Sequence, residues 1–344
     1  MLVKGFWGNL EKPIIGLSPM DGVTDAAFRH IVCKCSKPAL TMTEFTNVEG
    51  LARGSAKMLV AFLYSEIERP VVAQIYGVEV ESYYKAAVML CALGFDGIDI
   101  NMGCPANKVA RKGSGAGLIR TPELAKELIL TTKRACKDWS EGITMEKAGV
   151  HPDIIEEVKK MAPQDVTRSE IAVSVKTRIG FDKVVAEEWT KHLLETQPAN
   201  ISMHGRTLKQ MYMGKADWEV IGKAAKLAKG TGTTFLGNGD ISSLLDAHEK
   251  IEEYDVDGVL VGRAVLGNPW FFDEKIVSFD ECMETLLDHC EYFTRLNHLP
   301  FHNIKKHLAW YCKEFEGARE MRKNLMQTEN YQNVQEIVAN LSHG

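Results

Sequence analysis

No two of the eight cysteines form a CxxC pair, and their positions (33, 35, 91, 104, 136, 282, 290 and 312) show no disulfide-like spacing. A disulfide scaffold is therefore not expected, and reduced thiols in a cytoplasmic protein are the simplest reading. No apolar run approaches membrane-spanning length, and the opening MLVKGFWGNLEKP lacks the apolar core of a signal peptide. We expect no membrane association. Positive charge is not in excess: 41 Lys and Arg against 46 Asp and Glu leave a net charge of −5. Any nucleic acid would have to be met by a local patch. The chain carries no internal repeat and no low-complexity tract, and the dinucleotide fingerprint GxGxxG is missing after the first strand.

What is present is a soluble composition, 45% apolar and 25% charged, over 344 residues. That length suits a barrel-sized domain plus a small one. Short apolar strands alternate with helical patterns from about residue 13 to 270, and eight are expected: 13–18, 39–43, 70–76, 96–101, 171–177, 199–203, 233–237 and 257–261. Helical segments follow most of them, as where Val80, Tyr84, Ala87, Val88 and Cys91 recur on one helix face. Eight βα units point to a closed (β/α)8 TIM barrel over residues 1–275, with a doubly wound sheet as the alternative. Residues 138–169 interrupt the rhythm with an insertion that includes a helical stretch, His151 to Met161, stopped by Pro163. Between a helix and the next strand it belongs at the barrel's N-terminal face, as a surface elaboration. Residues 279–344 read as a small C-terminal all-helical domain.

Alternation along a strand separates two faces, one of which looks into the barrel. In VVAQIYG, Val72, Gln74 and Tyr76 share a face; in DGIDINMG, Asp99 and Asn101 do. IAVSVKTRIG places Ser174, Lys176 and Arg178 together, and NISMHGRT does the same for Ser202, His204 and Arg206. Four successive strands thus end in Gln74, Asn101, Lys176 and His204, aimed at the axis or the C-terminal mouth. The last two strands run into Gly-rich turns, FLGNGDIS and VLVGRAVLGNP. Turns in these positions commonly cradle a phosphate, which makes Asn238, Gly239, Asp240, Gly262 and Arg263 candidates. A phosphate anchor with an inward lysine suits flavin mononucleotide (FMN), Lys176 sitting near the N1–C2 edge. A phosphorylated sugar held as a Lys Schiff base would use similar groups. Cys104 bears on the choice, since a cysteine on a basic, Gly-containing loop can reach over a ligand as a proton donor. Lys108 and Lys112 flank it.

These stretches resemble a known family. SPMDGVTDAAFR (Ser18–Arg29), QIYG (Gln74–Gly77), GIDINMGCPANKV (Gly97–Val109) and VKTRIGFD (Val175–Asp182) are its first motifs. HGRT (His204–Thr207), YMGKADW (Tyr212–Trp218), GNGDI (Gly237–Ile241) and GRAVLGNPWFF (Gly262–Phe272) complete the barrel, and KKHLAWY (Lys305–Tyr311) continues into the tail. Together they resemble the bacterial branch of the tRNA-dihydrouridine synthase family across nearly the whole chain. The resemblance implies FMN-dependent reduction of uridine to 5,6-dihydrouridine in tRNA, with NADPH as electron source. It implies hydride delivery to C6 of the uracil and a proton from Cys104 to C5. It also implies that Pro19, Met20 and Asp21 pack along the flavin, and that Gln74 and Lys176 touch its polar edge. His204 is then beside the cofactor, Asn238–Asp240 with Gly262 and Arg263 hold the phosphate, and Asn101 and Arg178 lie near the target base. Three departures stand out: Ser18 where many relatives have Ala, Asp21 where Ala or Glu is common, and the 138–169 insertion, which is expected to have no counterpart in the family pattern.

A base inside a folded RNA must be drawn from its stack to be reduced, and the helical tail offers a second surface to grip it. Between His302 and Lys323 stand six cations (Lys305, Lys306, Lys313, Arg319, Arg322, Lys323) against Glu314, Glu316 and Glu320, with Trp310 and Tyr311 interleaved. Lys306 and Arg322 are the tRNA-contact candidates. The expected partner is tRNA, without metal or membrane, and the chain is expected to act as a cytoplasmic monomer. Two other readings remain at this point. One is an FMN barrel oxidoreductase for a small substrate; the other is a flavin-bearing RNA-binding protein.

Overall fold

The computed structural model describes residues 3–105, 113–313 and 315–341. Lys108, Lys112 and Glu314 therefore lie outside the described residues. Parallel strands β1 (Ile14–Leu17), β2 (Thr41–Met42), β3 (Thr46–Asn47), β4 (Val71–Tyr76), β5 (Gly97–Met102), β6 (Ala172–Arg178), β7 (Asn200–His204), β8 (Thr234–Asn238) and β9 (Gly258–Val261) form one sheet. Its order is β1-β9-β8-β7-β6-β5-β4-β2, with β3 also on β4. Backbone bonds from Ala39 N to Ile15 O (2.9 Å) and Leu17 N to Leu40 O (3.0 Å) join its two ends. The ring is thus a (β/α)8 barrel in which β2 and β3 share the second position. The expectation of one strand over 39–43 is met by two short pieces, the second displaced past Phe45.

Helices α1 (Ala26–Cys35), α2 (Val48–Ala52), α3 (Val80–Ala92), α4 (Pro122–Ser140), α5 (Pro152–Met161), α6 (Ala186–Leu194), α7 (Trp218–Ala228) and α8 (Leu244–Tyr254) are interspersed among the strands. The entry to α1 is fixed by Asp25, whose carboxylate accepts from Phe28 N at 2.9 Å. Inside the barrel, Ile14, Leu40, Met42, Val72, Leu236 and Leu260 pack with Trp7, which comes from a 3-10 turn at Gly5–Gly8. The lower barrel is therefore filled, and only its C-terminal end is left to open. Chain closure needs glycine at Gly258, where a Cβ would stand 2.0 Å from Ile14 O.

The insertion is more than a surface elaboration. Met145, Ala148, Val150, Ile154, Ile155 and Val158 are buried in the main core cluster. Helix α5 is amphipathic, and its Ile154, Ile155 and Val158 are buried beside α3 and the 3-10 segment Ala56–Phe62. Its capping is legible in the sequence: His151 is the N-cap, accepting from Asp153 N at 3.2 Å, and Pro152 takes the first turn.

Helices α9 (Phe279–Leu296), α10 (Lys305–Tyr311), α11 (Ala318–Leu325) and α12 (Tyr331–Leu341) build a separate apolar cluster. It contains Leu286, Phe293, Leu308, Tyr311, Leu325 and Val334, and it reaches the barrel through Ala27 and Trp270. Across the seam His30 stacks on Tyr292 (centroids 3.8 Å apart, planes at 6°), and Lys34 pairs with Asp288 at 2.5 Å. None of the eight cysteines, all among the described residues, is in a disulfide. No helix among the described residues is long and apolar enough to cross a membrane.

Candidate functional site

The C-terminal ends of the strands open into a cavity of about 900 Å³. Most of the expected site residues line it: Pro19, Met20, Asp21, Asn101, Cys104, Lys176, Arg178, His204, Asn238, Gly239, Asp240, Gly262 and Arg263. They meet because strand register stacks them. Asn101 faces Lys176 across β5–β6, Arg178 faces His204 across β6–β7, and His204 faces Asn238 across β7–β8. Three expected residues do not line the cavity. Gln74 is fully buried within its floor, hydrogen-bonded to Asn101, while Lys306 and Arg322 sit on the helical tail.

The floor is a chain of hydrogen bonds between buried side chains. Ser174 Oγ and Gln74 Nε2 donate to the two oxygens of Asp99, at 2.7 and 2.8 Å. Asn101 Nδ2 then donates to Gln74 Oε1 at 2.9 Å. Asn101 Oδ1 accepts from Gly103 N at 3.1 Å and Cys104 N at 2.8 Å, closing the turn that carries the thiol. From the next strand Arg178 Nε donates to Gly103 O at 2.6 Å, and Nη1 reaches Thr207 O and Met211 O at 3.0 Å each. Arg178 thus fastens the cysteine turn to the loop after β7. Burial lowers this guanidinium from its usual value to about 10.

Lys176 Nζ donates to Asn238 Oδ1 at 2.9 Å, and Asn238 Nδ2 donates to Leu260 O at 2.8 Å. The amide is therefore turned so that its oxygen faces the ammonium. Asn238 holds the lysine with its side chain rather than offering it to a phosphate. Burial, with Arg178 nearby, pushes Lys176 down to about 8. His204 is pushed down to about 2 by burial and by Lys176, Arg178, Arg206 and Arg263 around it. The imidazole is neutral, and its buried Nδ1 makes no hydrogen bond among the described residues.

Beyond the floor, the Asp240 side chain has a task of its own. Its carboxylate accepts from Arg206 Nη2 at 2.6 and 2.9 Å, from Arg263 Nη2 at 2.8 Å and from Ala216 N at 2.8 Å. An anion so engaged orients two guanidiniums and cannot itself receive a phosphate. The turn that places it depends on small residues. A Cβ on Gly237 would fall 2.2 Å from the Trp218 ring, whose Nε1 donates to Gly239 O at 3.0 Å. Gly239 has φ 127° and Asp240 φ 59°.

Several lining residues carried no assignment from sequence. Arg206 shares the polar face of β7, yet only its contact with Asp240, distant in sequence, gives it a purpose. Phe45 and Tyr212 come from loops, where alternation gives no face to read. The Phe45 ring meets Tyr76 edge-on (4.9 Å, 85°), and Tyr212 stands 63% exposed at the rim beside Met211. On the tail, Lys306 Nζ donates to Gly22 O of the first barrel loop, and Arg322 Nη2 donates to Cys312 O at 2.5 Å. Tyr311 is buried in the tail's core.

The chain matches the family model described as "Dihydrouridine synthase (Dus)" over residues 16–141 and 143–343, which runs through the insertion. It is 33% identical over 337 residues to a "Probable tRNA-dihydrouridine synthase" of Staphylococcus aureus (strain COL), covering 95% of this chain and 92% of that protein. The "Probable tRNA-dihydrouridine synthase 2" of Bacillus subtilis (strain 168) is 33% identical over 347 residues, 98% and 96% of the two chains. Among solved structures, morphinone reductase in complex with tetrahydroNAD superimposes with a TM-score of 0.41 at 12% identity, covering 76% of this chain and 85% of that one. That last likeness is too slight to argue from. A family match spanning nearly the whole barrel and tail is decisive: the chain belongs to the dihydrouridine synthase family.

Proposed function

We propose that this protein reduces uridines of tRNA to 5,6-dihydrouridine, with FMN resident in the barrel mouth and NADPH as electron donor. The observation that carries the reading is one cavity holding Cys104 on one wall and Lys176, Arg206 and Arg263 around the rest. The residues fit FMN on three counts. A volume of about 900 Å³ suits a ligand of that size. Four cations line it (Lys176, Arg178, Arg206 and Arg263) against the two carboxylates of Asp21 and Asp240, which favours a phosphate monoester. The neutral His204 keeps an unpaired Nδ1 for a polar ring atom.

Pro19 and Met20 would pack along the ring system, Lys176 would face its polar edge, and the backbone of Gly239 and Gly262 with Arg263 would hold the phosphate. Bound there, FMN supplies the hydride that C6 of the uracil accepts. The protein's own part is the proton. Cys104 gives it to C5, the C5=C6 bond becomes single, and the thiolate is reprotonated from solvent. Its backbone N–H is already held by Asn101 and the preceding carbonyl by Arg178, so the thiol is presented without a search of conformations. Lys176 and Arg178 offset negative charge beside the base, and the apolar walls from Met20, Phe45 and Leu266 exclude water. The target base must leave its stack to reach this depth. The helical tail would then grip the rest of the tRNA in the cytoplasm, with Lys306 and Arg322 at its barrel-facing and outer sides.

The test is direct. Purified protein, uridine-bearing tRNA and NADPH are incubated, and dihydrouridine is measured by nucleoside mass spectrometry. Absence of product would sink the reading. Cys104→Ala is expected to stay yellow with bound flavin and to lose activity on tRNA by about a hundredfold or more. Paired replacement of Lys306 and Arg322 by Ala should weaken tRNA binding most at low salt.

A further inference from the structure

We propose that Asp99 is a positioning residue for Cys104, acting through Gln74 and Asn101. The inference rests on the reading of Cys104 as the proton donor and names what sets the thiol's place. Asp99 is fully buried on β5 and lies two residues below Asn101 on the same inward face. Strand register delivers its partners: Gln74 is its neighbour on β4, and Ser174 its neighbour on β6.

A carboxylate accepts hydrogen bonds and has none to give. Because Asp99 Oδ2 accepts, Gln74 must turn its Nε2 toward it, at 2.8 Å. The other end of that amide, Oε1, then faces Asn101 and demands Nδ2, at 2.9 Å. Asn101 is left with Oδ1 toward the turn, where two backbone N–H groups require an acceptor. Reversing Asn101 would set N–H against N–H at Gly103 and Cys104, and reversing Gln74 alone would set oxygen against oxygen at Asp99 and N–H against N–H at Asn101. One buried charge thus fixes the sense of two amides and, through them, the turn that holds the thiol.

Burial raises Asp99 to about 6 against the hydrogen bonds from Ser174 and Gln74 and the charge of Lys176, so at neutral pH it remains an acceptor. Lys176 does not compete for the carboxylate, since its hydrogen bond goes to Asn238. Asp99 itself does not line the cavity. Its hydrogen bonds reach the cavity through the chain above it, and its charge also acts on Lys176.

The experiment uses the full chain with two independent readouts. Asp99→Ala leaves room for a water, which donates or accepts with equal ease and so loses the direction. Alkylation of Cys104 by iodoacetamide, followed by peptide mass, is expected to speed up about tenfold as the turn loosens. Dihydrouridine formation should fall by about a hundredfold in kcat with KM for tRNA and the rate of flavin reduction by NADPH little changed, since a misplacement of about 1 Å costs that much. Asp99→Asn should recover most of both losses, because its Oδ1 still faces Gln74 while its Nδ2 donates to Ser174 Oγ. If Asp99→Ala does not fold, Gln74→Met cuts the chain one link later and is read by alkylation alone. Wild-type alkylation in the folded variant overturns the proposal, as does a wild-type kcat. Should the wild-type protein make no dihydrouridine, the function falls, and the alkylation comparison still decides Asp99.

Discussion

Arg178 Nε donates to the carbonyl of Gly103 at 2.6 Å, so the guanidinium of one strand holds the residue immediately before the cavity's cysteine. The same guanidinium carries Thr207 O and Met211 O, and three carbonyls from two loops are thereby bound to one planar group. A lysine cannot serve three divergent acceptors from one flexible ammonium. Arg178→Lys is therefore expected to keep flavin and fold yet lose about tenfold or more in uridine reduction. Steady-state kinetics on tRNA, beside the absorbance of bound flavin, checks this.

Lys176 gives a prediction with a definite pH dependence. Its ordinary value of 10.5 falls to about 8 in the folded protein because burial disfavours the ammonium. Below pH 8 the folded state carries a charge that costs stability. Between about 8 and 10.5 the unfolded chain binds more protons than the folded one, so stability rises with pH. Lys176→Met should therefore stabilise the flavin-free protein, by about 1 kcal/mol at pH 7. That gain should shrink as pH rises past 8 and vanish above 10.5. Urea unfolding of both proteins across this range is the measurement, and the same substitution should weaken flavin retention.

The barrel was legible because short apolar runs bounded by turns leave few alternatives, and each expected strand is found within a few residues. Alternation also put Gln74, Asn101, Lys176 and His204 on one inward face. It does not tell depth: Gln74 is fully buried in the floor, one hydrogen bond behind the Asn101 side chain that lines the cavity. Partnerships between distant residues were hidden for a different reason. The GNGDI stretch reads as a phosphate turn through its backbone, and nothing local in it shows that the Asp240 carboxylate pairs with Arg206 and Arg263. On the tail, composition shows the excess of cations but not that Lys306 and Arg322 each spend one donor on a backbone carbonyl. The insertion's core face was readable in principle, since Ile154, Ile155 and Val158 fall at helical spacing.

Asp240 is the hinge of the cation arrangement at the rim. Burial alone would raise its carboxyl, yet the Ala216 N–H and the guanidinium of Arg206 hold it below the usual range. A depressed value means stability that is present above the ordinary 3.8 and lost as pH falls through the folded one. Asp240→Ala leaves Arg206, 2% exposed, without its anion. A loss of about 2 kcal/mol is expected, between the values for exposed and buried pairs. Denaturant titration at neutral pH should show that difference, and repetition under strongly acid conditions should show it shrinking.

Arg29 ends the first family-like motif, and the structure gives it an architectural task. Its Nε donates to Glu68 at 2.7 Å, with both side chains fully buried. Its other nitrogens hold Thr24 O and Leu63 O at 2.6 Å each. Glu68 in turn receives Ser65 N at 2.7 Å. The pair locks α1 to the segment that leads into β4, and α1 is the helix on which the tail docks. Glu68→Gln keeps the shape and removes the charge, which strands a guanidinium in the interior. A stability loss of about 3–5 kcal/mol follows from breaking such a pair. Because Glu68 is remote from the cavity lining, kcat per folded molecule should stay at the wild-type value. A fall in kcat without a fall in stability would mean that the first motif reaches the chemistry through this pair after all.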